Sequence, residues 1–166
     1  MSRNIVFWSG GQDSTLVAVQ LLRAGKFIHL VSFDNSFIGG EHQQNLEKIK
    51  RKQCMHKMTS EFGNNFKHEV FVYDGNVNVS AQNGIWVALY PLLCKDGDNA
   101  YFGAMKDDSF WHYDDKFKNV FKILCDYEDK KVNLEFPLEW YSRSKVIKEL
   151  KKFGYFDFSI HSGDKL

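Results

Sequence analysis

The chain has 166 residues, 43% of them hydrophobic and 26% charged, which is the balance of a globular domain and a length that suits one core rather than two. Its 22 basic and 21 acidic residues leave a net charge of +1, so no global charge argues for direct nucleic-acid binding, and no apolar run has the length a membrane-spanning helix needs. Cys54, Cys94 and Cys125 are odd in number and lack C-x-x-C spacing, which reads as reduced core thiols; with no secretory pattern at Met1, the expected setting is cytoplasmic.

In chain order, 4–8 (NIVFW) reads as a buried strand and 14–24 (STLVAVQLLRA) as a helix, with Asp13 or Ser14 near its N-cap and Gly25 as its stop. A second strand, 27–34 (FIHLVSFD), closes a βαβ unit. The stretch 39–62 supplies a long polar helix on which Leu46, Ile49, Gln53 and Met58 keep one face, with its glycines outside the start. The lysines at 48–57 and 145–152 read as solvated helix faces.

Residues 67–74 form the third strand, and 80–95 the next helix, in which Pro91 signals a kink or an early end. Residues 99–105 give the fourth strand, followed by a polar, aromatic loop that becomes helical near Lys116. A strand runs into Phe136-Pro137-Leu138, and Ser142 opens a last amphipathic helix that ends at Gly154. Strands alternating with helices throughout predict a parallel α/β sheet covered on both faces. In such sheets ligands bind outside the carboxyl ends of the strands, so the opening turn and the loops after 34, 74 and 103 share one edge. Fifteen phenylalanines point to a Phe-built core.

The opening turn carries the chemistry. Ser9-Gly10-Gly11-Gln12-Asp13-Ser14 joins a strand to a helix, and a helix N-terminus presents unpaired N–H groups and partial positive charge to an anion. Two glycines allow close approach, and two serines add hydroxyls around the concavity. The spacing matches neither G-x-x-x-x-G-K-S/T nor G-x-G-x-x-G, so a different phosphate loop is implied. A plain strand-to-helix connection capped by Asp13 is the alternative.

Placed between strand and helix, S-G-G-Q-D-S resembles the pyrophosphate loop of the adenine-nucleotide alpha-hydrolase-like ATP pyrophosphatases, the PP-loop superfamily. The resemblance implies a Rossmann-like fold over 1–166 and cleavage of ATP between the α and β phosphates, with adenylation of a substrate. Further along, the chain is similar to the 7-cyano-7-deazaguanine synthase family of queuosine biosynthesis. Asn83, Gly103, Asp108 and Asp114 fall on that family's places in "NGIWVALYPLLCKDGDNAYFGAMKDDSFWHYDD", and Ser142 and Arg143 take its Thr-Lys places in "FPLEWYSRSKVIKEL". The stretch "SFDNS", with Phe33, matches where the family holds adenine, largely through main-chain groups. Gln82 stands in place of the family's arginine and Tyr113 in place of its proline. No cysteine follows Cys125, and His161 with Asp164 cannot replace the family's four-cysteine site, so no structural zinc is expected.

The resemblance implies a 7-deazaguanine carboxylate as substrate, activated as an acyl adenylate from which ammonia displaces AMP to give an amide, with a second activation of the amide oxygen then allowing dehydration to the nitrile. Ser9, Gly10, Gly11, Gln12, Asp13 and Ser14 would cradle the departing pyrophosphate, with Gly103 near the nucleotide. Asp13 and Asp108 are the candidate magnesium ligands, although a helix cap and a solvated acidic loop are their plainer roles. Arg143 is set either for phosphate, through its planar fork, or as an exposed helix residue. The catalytic set is thus Ser9, Asp13, Ser14 and Arg143. A flat bicyclic base asks for an aromatic shelf and edge donors, to which Gln82, Asn83, Asp108, Phe110, Trp111, Tyr113 and Asp114 answer; the rings could equally pack beneath their own loop. A homodimer is compatible with this reading. Other adenylating enzymes of the superfamily, and an ATP-binding module without catalysis, stay open beside it.

Overall fold

The structure, a computed structural model, describes residues 2–35, 40–73, 82–106 and 114–160, with side chains described except at 35–47, 73 and 82–87. Its elements are β1 (Asn4–Phe7), α1 (Gln12–Arg23), β2 (Ile28–Asn35), α2 (Gly40–Phe62), β3 (Phe66–Tyr73), α3 (Gln82–Leu93), β4 (Asn99–Tyr101), α4 (Asp114–Tyr127), β5 (Asn133–Glu135) and α5 (Arg143–Phe153). The strands form one sheet in the order β3-β2-β1-β4-β5, and every pairing is parallel. This is a Rossmann-like α/β fold, as the strand and helix alternation predicts.

Period-two alternation divides the core between the two faces of the sheet. In β1, Val6 points to one face with the following Trp8, while Ile5 and Phe7 point to the other. The first face is covered by α1, α2 and α5, with Leu16, Val19, Cys54, Met58, Val146 and Leu150 in contact. The second is covered by α3 and α4 and is largely phenylalanine: Phe7, Phe102, Phe117 and Phe121 are buried, and Phe33 and Phe136 pack against them. The change of face follows from handedness. Stepping from β1 to β2 to β3 moves one way across the sheet, while β4 and β5 lie the other way from β1, and right-handed crossovers put the two sets of helices on opposite faces. The three cysteines are all buried and free, as expected.

Nine of the twelve residues of α1 are buried, because the helix lies between the sheet and α5; a helix that is apolar nearly all round belongs in such a place. It ends where Gly25, at φ +74°, lets Gly25 N–H reach Leu22 O at 2.9 Å and Lys26 N–H reach Leu21 O at 3.1 Å. At the chain's last helix, Ser142 accepts from Lys145 N–H and Gly154 closes α5 in the left-handed region, both as the sequence predicts.

Several boundaries differ from expectation. Helix α1 begins at Gln12 with Gly11 as its N-cap, so Asp13 lies in the first turn rather than at the cap. Helix α3 runs through Pro91 to Leu93, because a proline in the last turn removes little of the ladder. Strand β4 stops at Tyr101, and α4 starts two residues before Lys116, with Asp114 as its first residue. The face of α2 is also different. Ile49 is 53% exposed and Gln53 is exposed, whereas Arg51, Cys54 and Met58, spaced i, i+3, i+7, are buried. Gly40 lies inside the start of that helix.

Candidate functional site

The reversal of strand order between β1 and its two neighbours places a crevice at the carboxyl ends of β1 and β4, the position where sheets of this type hold ligands. The turn after β1 is built around one hydroxyl. Ser14 Oγ donates to Gly11 O at 3.3 Å, accepts from Ser9 N–H at 3.2 Å and lies 3.2 Å from Ser9 Oγ. Its single hydrogen is then used, so Ser9 Oγ–H donates to it, and Ser9 Oγ in turn accepts from Gly11 N–H at 3.1 Å. Both serines therefore hold the turn's shape as well as presenting hydroxyls at its rim.

The two glycines are required for different reasons. Gly10 has φ +83°, and a Cβ there would lie 2.5 Å from Arg51 Cγ and 3.1 Å from Ile160 Cδ1. Its carbonyl accepts from Ile160 N–H at 2.8 Å, and Gly11 forms a parallel bridge with Ile160, so residues 159–160 run beside the turn as a short strap. Gly11 caps α1 without any side-chain bond. Gly103, beyond β4, makes the approach from the far side: a Cβ on it would sit 2.9 Å from both Asp13 C and Ser14 N. The exit of β4 is thus pressed against the first turn of α1, and only glycine fits between them.

Beneath the turn, Trp8 is fully buried, with its indole N–H donating to Thr15 Oγ1 at 3.0 Å. The Trp8 carbonyl accepts from Ser32 Oγ at 2.5 Å, which uses that hydroxyl's hydrogen and assigns His68 Nε2, 2.8 Å away, as a donor to Ser32. Burial lowers the His68 pKa to about 4, with Arg51 adding to the fall and Asp34 opposing it, so the ring is neutral at ordinary pH.

Two arginine–aspartate pairs border the turn. Arg143, the first residue of α5, donates from Nη1 to Asp13 Oδ1 at 2.6 Å; the side chains are 47% and 21% exposed. Arg51 of α2 donates from Nη2 to Asp34 at the end of β2, with the arginine side chain only 10% exposed. The sequence points to Arg143 and Asp13, and to Ser32 and Asp34 only as part of the "SFDNS" stretch, but not to Arg51, Trp8 or His68. The i, i+3, i+7 spacing of Arg51, Cys54 and Met58 is the one signal that finds the buried arginine.

Of the remaining expected residues, Phe33 packs its ring against Phe7 and Phe71, at centroid distances of 5.8 and 5.7 Å. Asp114 accepts from Asp115 N–H at 2.7 Å and from Lys118 Nζ at 2.8 Å, and the lysine holds its carboxyl below the usual range. Gln82 and Asn83 open α3, with side chains outside the described residues. Asp108, Phe110, Trp111 and Tyr113 lie outside the described residues, as do His161 and Asp164. A cavity of about 550 Å³ exists elsewhere, between α4 and β5, lined by Phe121, Cys125, Lys130 and Leu134 among others. It belongs to the end of the sheet where β4 and β5 begin, away from the turn. No helix among the described residues is long and apolar enough to cross a membrane.

No protein-family model matches the chain. No curated protein matches it either. Among solved structures it is similar to a protein titled as a predicted subunit of tRNA methyltransferase from Methanocaldococcus jannaschii, with TM-score 0.58 and 17% identity over 91% of this chain and 74% of that one. That likeness concerns the fold: the chain shares a parallel α/β architecture with it.

Proposed function

We propose that the chain is an ATP-dependent adenylating enzyme of the PP-loop type, releasing AMP and pyrophosphate. The observation that carries the reading is the turn itself. A hydroxyl-braced Ser9–Ser14 loop, with Gly10 in a left-handed conformation, feeds the N-terminus of α1 at the crevice between β1 and β4. Such a turn fits a phosphate chain, because its N–H groups and hydroxyls are gathered at a helix N-terminus before the ligand arrives.

Ser9, Gly11, Gln12 and Ser14 hold the leaving pyrophosphate as the hydroxyl and Gly11 N–H donors now spent within the turn exchange to phosphate oxygens, and Arg143 neutralises charge from the α5 side. Magnesium would be held by Asp13 together with phosphate oxygens, since among the described residues no group of three His, Cys, Asp or Glu side chains forms a protein cage. When bound it would screen phosphate charge. With Asp13 turned to the metal, the Arg143 guanidinium would be able to turn toward phosphate. A carboxylate acceptor lying over the exit of β4 would then attack the first phosphorus, and positioning with charge neutralisation supplies most of the rate.

The finer reading is a 7-cyano-7-deazaguanine synthase-like reaction, in which a 7-deazaguanine carboxylate is activated and aminated by ammonia without a structural zinc. It is supported by the placement of Asn83, Gly103, Asp114 and Arg143 in the sequence. The test is purified protein with ATP, magnesium, ammonium and a panel of carboxylates that includes 7-carboxy-7-deazaguanine, read by mass spectrometry. AMP with an amide or nitrile of the deazaguanine supports both levels. AMP with a different acid keeps adenylation and replaces the acceptor. No AMP from any acceptor, an unmodified tRNA included, rejects the enzyme reading.

A further inference from the structure

We infer that Arg51 is a second phosphate-binding cation of this site, parked on Asp34 until a nucleotide arrives. The inference deepens the proposed function and rests on its premise that the Ser9–Ser14 loop takes nucleotide phosphates.

Arg51 lies on α2 between the exposed Lys48 and Lys52 and beside the half-buried Lys50, yet it is buried to nine-tenths. Its aliphatic stem occupies the space beside Gly10, with Cγ 2.5 Å and Cδ 3.2 Å from where a Cβ on that glycine would be. Its guanidinium is consequently held next to the loop. One of its five N–H donors is used, by Nη2 toward Asp34, and among the described residues Nε and Nη1 donate to nothing. A largely buried arginine with most of its fork unspent is a poor way to stabilise a fold, because burial of the two charges offsets much of their attraction. It is a good way to prepare a site for an anion, since a planar guanidinium can hold two oxygens at once and is charged at every ordinary pH.

The partner's position fits the same use. Asp34 lies one residue from the end of β2, the strand next to β1. In sheets of this type the strand beside the phosphate loop carries the nucleoside end of the ligand. A phosphate chain seated on the α1 N-terminus, with its nucleoside over β2, passes between the loop and Asp34 and meets the open side of the Arg51 fork. Asp34 holds the arginine in place without a ligand, and the phosphate oxygens compete with it when one binds.

The competition makes the proposal testable. ATP and adenosine are titrated calorimetrically against wild type, Arg51→Lys, Arg51→Gln and Asp34→Asn, with circular dichroism and thermal melting confirming that each variant is folded. Arg51→Gln is expected to bind ATP about tenfold or more weakly, the usual loss for a charge-assisted bond. Arg51→Lys, which keeps charge but not the fork, should fall between. Adenosine affinity should not change. Asp34→Asn removes the competitor, so it should bind ATP at least as tightly as wild type.

ATP affinity within twofold of wild type in folded Arg51→Gln overturns the inference. So does an Asp34→Asn loss as large as that of Arg51→Gln, because the pair would then act only as a brace. Loss of adenosine affinity in step with ATP, or a wild-type chain that binds no ATP, also overturns it. The readout is binding, so a chain that holds ATP through Arg51 but never releases AMP would keep this inference and lose the adenylation reading.

Discussion

Arg51 and Arg143 come to the same turn from two different helices, and each donates to an aspartate, but the surroundings of the two pairs differ. Arg143–Asp13 is half open to solvent and ties the start of α5 to the start of α1. Arg51–Asp34 is enclosed, with its stem packed on Gly10 and its head near the neutral His68. An exposed pair gains little from its Coulomb attraction and is free to exchange partners, whereas removal of one member of a buried pair strands the other without water. The same chemistry therefore gives a pair of small energetic weight on one side of the turn and one that is costly to break by truncation on the other.

The largest effect should come from the buried pair. Arg51→Met is expected to lower unfolding stability by about 3 kcal/mol, the lower end for breaking a buried pair because Asp34 keeps some exposure. Pairing it with Asp34→Leu should restore much of the loss. Urea titrations of the two single variants and the double variant measure this directly. A single-variant loss under about 1 kcal/mol would mean that the enclosure has no energetic content.

The glycines beside the two pairs sharpen the contrast. A Cβ at Gly10 meets the Arg51 stem and also suffers a left-handed backbone, while one at Gly103 meets only the main chain of Asp13 and Ser14. Both alanine variants should lose roughly 2 kcal/mol through overpacking or strain. They should respond differently to Arg51→Ala. In that background Gly10→Ala should cost mainly its backbone strain, roughly 1 kcal/mol, because the clashing stem is gone and the 3.1 Å approach to Ile160 Cδ1 needs only a small side-chain shift. Gly103→Ala should be unchanged, since no side-chain truncation moves a main chain. Equal coupling at the two glycines would contradict the packing described.

Why the sequence reads clearly on one side of the turn and not on the other has a physical cause. Ser9, Gly10, Gly11 and Ser14 are contiguous and lie between a strand and a helix, so local rules of turn geometry and helix ends are enough to identify them. The parallel sheet was legible for the same reason, since apolar runs of strand length alternate with amphipathic ones. Arg51 was not, because "EKIKRKQ" has the composition of a solvated face and the one local hint is the i, i+3, i+7 spacing of Arg51 to Cys54 and Met58. Its burial is decided by Gly10, 41 positions earlier, whose missing side chain makes the room. The same holds for Gly103 against Asp13 and for Ile160 against Gly10, contacts between segments distant in the chain that no period or propensity encodes.

A smaller effect is a pH dependence that His68 adds on the enclosed side. The native His68 pKa of about 4 lies below the ordinary value near 6.5, so the unfolded chain binds the extra proton first as pH falls. Stability attributable to this group is present above about 6.5 and is lost progressively toward about 4. The melting temperature should fall through that window. His68→Gln, which keeps a donor for Ser32 Oγ and cannot titrate, should flatten the profile there. If the variant and wild type melt in parallel from pH 6.5 to 4, the ring is not held neutral by its surroundings.

The smallest expected effect on stability, and the clearest separation of stability from function, belongs to Arg143. Its ion pair with Asp13 is exposed enough that Arg143→Met should change unfolding stability by less than about 1 kcal/mol. If the guanidinium moves from Asp13 to phosphate as metal and nucleotide bind, the same substitution should lower the rate of AMP release by about tenfold or more, because a cation aimed at developing charge is lost from the site. Asp13→Asn separates the two uses of that carboxylate. It should spare stability as Arg143→Met does, but raise the magnesium concentration needed for half-maximal AMP release, which Arg143→Met should leave nearly constant. Joint loss of folding and turnover in Arg143→Met would make the contact a structural brace and would remove the distinction between the two sides of the turn.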